Sequence, residues 1–198
     1  MLEPVTLEGR YVRLEPLSLG HVEALSRVGL DPELWKWIPF PVTTADEMRA
    51  YVETALDEQR AGQSLPFAVV VNGVPIGSTR FGNISLANKR VEIGWTWYAP
   101  THQRTPVNTE TKLLLLTHAF ERLGMIRVEL KTDALNAKSR AAIARIGGTQ
   151  EGIFRRHLIC QSGRVRDTVY FSLLDNEWPE KKAALEARLA NRDSSSQL

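Results

Sequence analysis

Apolar and polar positions recur in two rhythms along the 198-residue chain, and changes of rhythm divide it into helices and strands. Thr44 with Glu47 three residues on has the form of a capping box, in which each side chain takes an orphan N–H at a helix start. Behind it Met48, Tyr51, Val52, Ala55 and Leu56 fall at i, i+3, i+4, i+7 and i+8, which predicts an amphipathic helix. A second stripe, Leu113, Leu116, Phe120 and Leu123, predicts a helix over Val107 to Gly124, with Gly124 ending it. Further helices are predicted from Leu19 to Val28, from Asn136 to Gly147, and from Pro179 to Ala190.

The period-2 stretches give the strands. Phe67 to Val71 is wholly apolar, and Asn72-Gly73 supplies a tight hairpin turn into a second strand, Val74 to Phe81. Asn83 to Lys89 connects to VEIGWTWY, where Val91, Ile93, Trp95 and Trp97 are expected on one face and Glu92, Gly94, Thr96 and Tyr98 on the other. Strands are also predicted at Arg10 to Leu14, Arg127 to Asp133, Gly152 to Leu158 and Val165 to Leu173, the last two around a Ser162-Gly163 turn. Strands and helices mix without strict alternation, so the expected class is α+β with a mixed central sheet. One domain over residues 1–190 and an unstructured Ser-rich tail over 191–198 are expected.

Composition changes this picture little. The formal charge is +2 and the basic residues are scattered, which favours an anionic ligand weakly and does not call for nucleic acid. One cysteine, Cys160, excludes an intrachain disulfide and fits a reducing compartment. No signal peptide is read at the start, and apolar runs such as Phe67 to Val71 are far short of the about 20 residues of a membrane helix, so the cytoplasm is expected. The four histidines lack metal-ligand spacing, and no metal is expected.

The chemistry concentrates between Val91 and Gly147. A strand ending at Pro100 leads through Gln103-Arg104-Thr105-Pro106-Val107-Asn108 into a helix, and a loop that delivers N–H groups onto a helix start is an anion site. A second strand–Asn–helix unit beside it, with Asn136-Ala-Lys-Ser139, suits a long thin polar ligand, coenzyme A in particular. Asn136 also reads simply as a helix N-cap, and one side chain can serve both purposes.

The text VEIGWTW…VNTETKLLLLTHAFERLGMIRVELKTDALNAKSRAAIARIGGTQEG resembles the cofactor-binding half of the GNAT superfamily of N-acetyltransferases, in the subfamily of ribosomal-protein N-terminal acetyltransferases. Weaker similarity covers Leu7 to Leu14 and Arg166 to Leu173. The resemblance implies a mostly antiparallel central sheet flanked by helices and splayed at its central strand pair. It implies acetyl-CoA as co-substrate, its pyrophosphate held by Gln103, Arg104, Thr105, Val107, Asn108 and Thr109. Pantetheine would be held by Asn136 and by the backbone of Thr96, Trp97 and Tyr98. The chain departs from the family loop in having Pro106 and Asn108 where glycine or alanine is usual, and Pro106 removes a donor while suiting the first helical position.

For the reaction, Ile143 stands where many members carry a tyrosine acid, so the resemblance assigns Ser139 to the departing thiolate. Glu92 is the first choice of base, because amine acylation needs a neutral amine; it also reads as a strand glutamate paired with Arg80 or Arg127. Asp167 is in phase with Val169, Phe171 and Leu173, so a buried, paired carboxylate or a second base is expected there. Glu129 and Asp133 are weaker candidates. Trp35, Trp37, Phe40 and Trp95 are candidates to wall an acceptor cleft, although several of the five tryptophans must simply fill the core. The expected acceptor is a primary amine, a ribosomal or other protein N-terminus, with a small amine or antibiotic as the alternative. A non-catalytic acyl-CoA-binding module is the alternative of another class. No nucleic acid or membrane partner is expected, and a homodimer is compatible with the resemblance.

Overall fold

A computed structural model describes residues 2–195. The chain opens with β1 (Leu7–Glu8) and β2 (Arg13–Pro16) rather than one strand over Arg10 to Leu14. The reason is tertiary: residues 9–12 form a turn, Gly9 N–H donating to Val12 C=O at 2.9 Å, gathered around a carboxylate from a distant helix described below. A single 3₁₀ turn, Leu19–His21, leads into α1 (Val22–Gly29), then come α2 (Pro32–Trp35) and α3 (Ala45–Arg60). The capping box of α3 forms as read, Glu47 N–H donating to Thr44 Oγ1 at 3.2 Å and Thr44 N–H to Glu47 Oε2 at 3.0 Å.

Next are β3 (Leu65–Val71) and β4 (Val74–Ser85), joined by Asn72 and Gly73 with φ of 49° and 78°, the two left-handed residues a tight hairpin turn demands. After β4, which runs beyond its expected end at Phe81, come β5 (Arg90–Tyr98) and α4 (Pro106–Thr117). A π turn at His118–Arg122 continues α4, and Gly124 at φ 63° ends the helical run near its expected limit. The chain finishes with β6 (Arg127–Asp133), α5 (Ala137–Arg145), β7 (Thr149–Ile159), β8 (Val165–Leu174) and α6 (Trp178–Ser195). Helix α6 passes its expected end at Ala190 and takes in the first part of the expected tail; 196–198 lie outside the described residues.

The strands form one sheet in the order β1-β2-β3-β4-β5-β6-β8-β7, antiparallel except for β5 and β6. A parallel neighbour needs a crossover, and α4 supplies it. One apolar cluster lies on the side of α4 and α6, joining Phe67, Phe81, Val91, Ile93, Val128, Leu115, Leu116 and Trp178. The other lies under α1 and α3, joining Leu25, Met48, Val52, Ala68, Val70, Trp35 and Trp97. At about 1.5–3 kcal/mol for each large side chain buried, these two faces hold the sheet between the helices.

The even alternation expected along β5 breaks. Two residue steps on β4, Ser78 to Arg80, face three on β5, Trp97 to Gly94, and Trp95 takes φ 51°. This bulge reverses the facing of everything beyond it. Val91, Ile93 and Tyr98 therefore enter the α4 cluster, while Trp97 turns to the α3 cluster, on the same side as Glu92. Glu92 was expected opposite Trp97, and the extra residue is why it is not.

Candidate active site

β5 and β6 pair only through Arg90–Glu92 and Arg127–Glu129. From Ile93 and Leu130 onward the two strands part, and the fork opens into a cavity of about 920 Å³. Its walls come from β5 (Glu92, Trp95, Thr96, Tyr98), β6 (Lys131), α4 (Asn108, Lys112) and α5 (Asn136, Ser139). On the far side stand Trp37 and Phe40 of the segment after α2, and His157 and Leu158 of β7. The fork is a splay at the central strand pair, and an extended polar chain fits between strands that no longer satisfy one another's backbone groups.

Trp95 is the strained point. A bulky residue in the left-handed region costs on the order of 1–3 kcal/mol and persists where surrounding contacts over-determine it. Its indole lies over Gly82, where an added Cβ would come within 2.3 Å of the ring, and the Arg80 guanidinium stands 4.9 Å from the Trp95 ring and 5.1 Å from that of Tyr51. Arg80 in turn donates to Glu58 at 2.8 Å.

Glu92 is buried on this face. Its Oε2 accepts from Asn83 Nδ2 at 2.5 Å and pairs with Lys131 Nζ at 2.7 Å, so its ionic partner is Lys131 rather than Arg80 or Arg127. Burial opposes the charge on Lys131, but Glu92 and, more weakly, Glu129 outweigh it and hold the lysine above its ordinary pKa. The other oxygen of Glu92, Oε1, faces Gly94, whose missing side chain leaves it room.

At the start of α4, Thr105 is the N-cap and Pro106 the first helical residue, the position proline tolerates. Thr105 Oγ1 accepts the Val107 N–H at 3.3 Å, and Thr109 stands where the ladder of the helix itself begins, so the orphan donors belong to Thr105 and Asn108, fewer than the four residues expected. Val107 is packed into the core. Arg104 reaches the cap through φ 62°, and Gln103 Nε2 donates to the Tyr98 carbonyl at 3.4 Å. Tyr98 donates its hydroxyl to Asn108 Oδ1 at 3.2 Å, and burial keeps this phenol well above its ordinary pKa. Across the fork Asn136 caps α5, its Oδ1 accepting the Ser139 N–H at 3.0 Å, and both residues line the cavity.

Two expected residues stand elsewhere. Trp35 is 2% exposed and donates its Nε1 to the Gly29 carbonyl at 2.7 Å; it belongs to the core with Trp97, while Trp37, Phe40 and Trp95 line the cavity. Asp167 keeps the phase expected for it but is only half-buried, because β7 beside it is an exposed edge strand. Its Oδ1 accepts the Arg156 N–H at 2.6 Å, at a bulge of β7 where Arg156 has φ 52°, and it is not among the cavity-lining residues.

Other residues at the site escaped the sequence reading. Lys131 alternates with Glu129 and Asp133 on one face of β6, a charged row that the period-2 pattern carries. Arg166 donates to the Trp37 carbonyl at 3.2 Å and Gln161 N–H to that of Pro39 at 3.0 Å, which fixes the aromatic segment as a wall. Lys112, four residues before Leu116 on the apolar stripe, is 6% exposed, and its Nζ donates to Thr96 Oγ1 at 2.9 Å. Among the described residues no cluster of His, Cys, Asp and Glu is placed to hold a metal ion, and no helix is long and apolar enough to cross a membrane.

Comparison with known proteins agrees with this geometry. The family model described as an acetyltransferase (GNAT) domain matches residues 12–149. A Bacillus subtilis protein, YdaF, provisionally named a ribosomal N-acetyltransferase, is 31% identical over 153 residues, 75% of this chain and 82% of that protein. The crystal structure of a GCN5-related N-acetyltransferase from Brucella melitensis is 35% identical, with a TM-score of 0.88 over 95% of this chain and 86% of that one. Mycobacterium smegmatis RimJ in complex with CoA-disulfide is 26% identical, with a TM-score of 0.83 over 93% of this chain and 95% of that one.

Proposed function

This chain belongs to the GNAT family of acetyl-CoA-dependent acetyltransferases, and we propose that its acceptor is the N-terminal amine of a protein or peptide, acetylated by direct attack in a ternary complex. The observation that carries the reading is the breadth of the cavity beyond the fork. Its far wall is made by the aromatic segment at Trp37 and Phe40 together with His157 and Leu158, and Phe40, 70% exposed, leaves that rim open to solvent. An open rim of this kind suits a polypeptide end; a metabolite site is usually a closed pocket. The ribosomal acceptor in the name of the Bacillus subtilis relative points the same way, and the single cysteine suits a reducing cytoplasm.

In this reading the pantetheine arm of acetyl-CoA lies in the fork, against the backbone of Thr96, Trp97 and Tyr98 and beside Asn136. Arg104, with the N–H groups of Thr105 and Asn108, serves the pyrophosphate, and Gln103 supports that loop. A backbone N–H at the Trp95 bulge polarises the thioester carbonyl in the manner of an oxyanion hole. Glu92, through its Oε1 and a water, takes the proton that the acceptor ammonium must lose before its nitrogen can attack. Ser139 donates a hydrogen bond to the sulfur as the carbon–sulfur bond breaks. Asp167, lying away from the cavity, is left with a structural part.

The test is thiol release from acetyl-CoA with a panel of amines. Peptides with free N-termini should support turnover and the same peptides blocked at the N-terminus should not. Turnover only with small amines would replace the acceptor assignment, and no turnover with any amine would favour a binding module.

A further inference from the structure

Four lysine and arginine side chains line the cavity among the described residues: Arg80, Lys112, Lys131 and Arg166. Three have a carboxylate within 4.0 Å, Arg80 at Glu58 (2.8 Å), Lys131 at Glu92 (2.7 Å) and Arg166 at Asp133 (3.9 Å). Lys112 has none. The carboxylates beside it on α4 and across the fork on β6 are committed, as are Glu8 of β1 to Arg13 and Glu121 just after α4 to Lys182. On α4 itself, Glu110 Oε1 accepts the Arg10 N–H, and its Oε2 those of Tyr11 and Val12. On β6, Glu129 is held by Arg90, Arg127 and Lys131, and Asp133 by Arg164 and Arg166. The Tyr98 phenol of β5 stays neutral and spends its proton on Asn108.

Lys112 therefore brings an amine to the mouth of the fork with one acceptor for its three donors, Thr96 Oγ1 at 2.9 Å, which also lies 2.7 Å from Thr79 Oγ1. Burial without an opposing charge is costly, and desolvation brings this lysine down to a pKa of about 7. A folded protein that keeps such a group facing a cavity gains from it when an anion arrives.

We infer that Lys112 is the charge partner of the coenzyme A sulfur, an ammonium at the fork of β5 and β6 that favours thiolate over thiol. This rests on the reading that the pantetheine arm occupies the fork. As the acceptor nitrogen bonds to the acyl carbon, the carbon–sulfur bond breaks and its electron pair leaves on sulfur. The Lys112 ammonium offsets that charge while Ser139 donates its hydrogen bond. Glu92 passes the ammonium's first proton to solvent through its water before attack and takes the second as the amide nitrogen forms, and the sulfur is protonated by Lys112 or by solvent as the product leaves. Thr96 positions Lys112 and has no part in the transfer.

The test reads the ionisation of coenzyme A itself, without turnover. Thiolate absorbs in the ultraviolet and thiol does not, so the titration of bound coenzyme A can be followed against free coenzyme A. Saturation is first established by calorimetry. In the unmodified protein the bound thiol should titrate with its thiolate favoured at least about ten-fold over the free thiol. Lys112→Met should abolish that shift and Lys112→Arg should keep it. Lys112→Met should also raise the melting temperature at pH 6, since it removes an uncompensated buried charge, whereas a lysine kept for structure would lower it when replaced. Bound coenzyme A that titrates like the free thiol in the unmodified protein overturns this inference, whether or not the variant folds. Failure of coenzyme A to bind at all would overturn the reading of the fork, and this inference with it.

Discussion

Glu110 Oε2, in the middle of α4, accepts the backbone N–H of Val12 at 2.8 Å, a contact between residues 98 apart in sequence. The same carboxylate takes the N–H groups of Arg10 and Tyr11 at 2.9 and 2.6 Å, so one side chain closes the turn between β1 and β2 onto the helix that crosses the fork. Gly9 is part of the fit, since a Cβ there would come within 2.5 Å of Glu110 Oε2. Glu110→Ala should destabilise the fold by about 3 kcal/mol, the cost of leaving buried donors without their charged acceptor. Chemical denaturation measures it, and a change no larger than that of an exposed substitution would remove Glu110 from this role.

Glu92 and Asp167 separate in position, so their variants should separate in behaviour. Glu92→Gln should lower kcat by about 100-fold and flatten the acidic limb of the kcat/KM profile, as loss of a general base does. Asp167→Asn keeps an acceptor for the Arg156 N–H and should cost about 1 kcal/mol or less, with turnover retained. Turnover lost in Asp167→Asn but kept in Glu92→Gln would exchange the two assignments.

Ser139→Ala should lower kcat by about 10–100-fold with little change in KM for acetyl-CoA, a loss confined to the transition state. Its neighbour should behave differently. Asn136→Ala removes the cap of α5, costs about 1 kcal/mol of stability and raises KM. Steady-state kinetics on both variants, each with its melting curve, distinguishes the two effects.

How far the sequence foretold this site depended on how local the cause was. The Thr44–Glu47 box, the Asn72-Gly73 turn and the Asn136 cap act within four residues, and each forms where its residues stand. The Trp95 bulge was illegible because strict alternation assumes one residue against one, and Trp95 is the extra one. That insertion moved Trp97 into the core and Tyr98 to the other face. Glu110 and Lys112 drew no reading from the sequence, because a charged helical side chain carries no local sign of burial; both are buried where β1, β2 and the fork cover their side of α4. Asp167 had the right phase and the wrong depth, since facing follows from the strand itself while depth follows from its exposed neighbour β7.

Lys112 also predicts how stability depends on pH. Its folded pKa of about 7 lies below the ordinary 10.5, so between these values the unfolded chain binds a proton that the folded one has released. Stability should therefore rise with pH from about 7 to 10.5, with the burial penalty fully present below 7 and gone above 10.5. The whole effect is on the order of a few kcal/mol. Denaturation midpoints should rise across that range in the unmodified protein, and the Lys112 contribution should be missing from Lys112→Met. Identical pH dependence in the two would mean that the lysine is not buried as a free amine.

The ternary complex itself is best tested with a bisubstrate conjugate, a peptide whose α-amine is joined to the coenzyme A sulfur through an acetyl bridge. One molecule then spans the fork and the aromatic wall, and the second contact is made without a second loss of translational freedom. The inhibition constant of this conjugate is predicted to lie well below the dissociation constants of both acetyl-CoA and the peptide, with competition against each of them. A conjugate that binds no better than coenzyme A alone, or competes with acetyl-CoA but not with the peptide, would contradict the account.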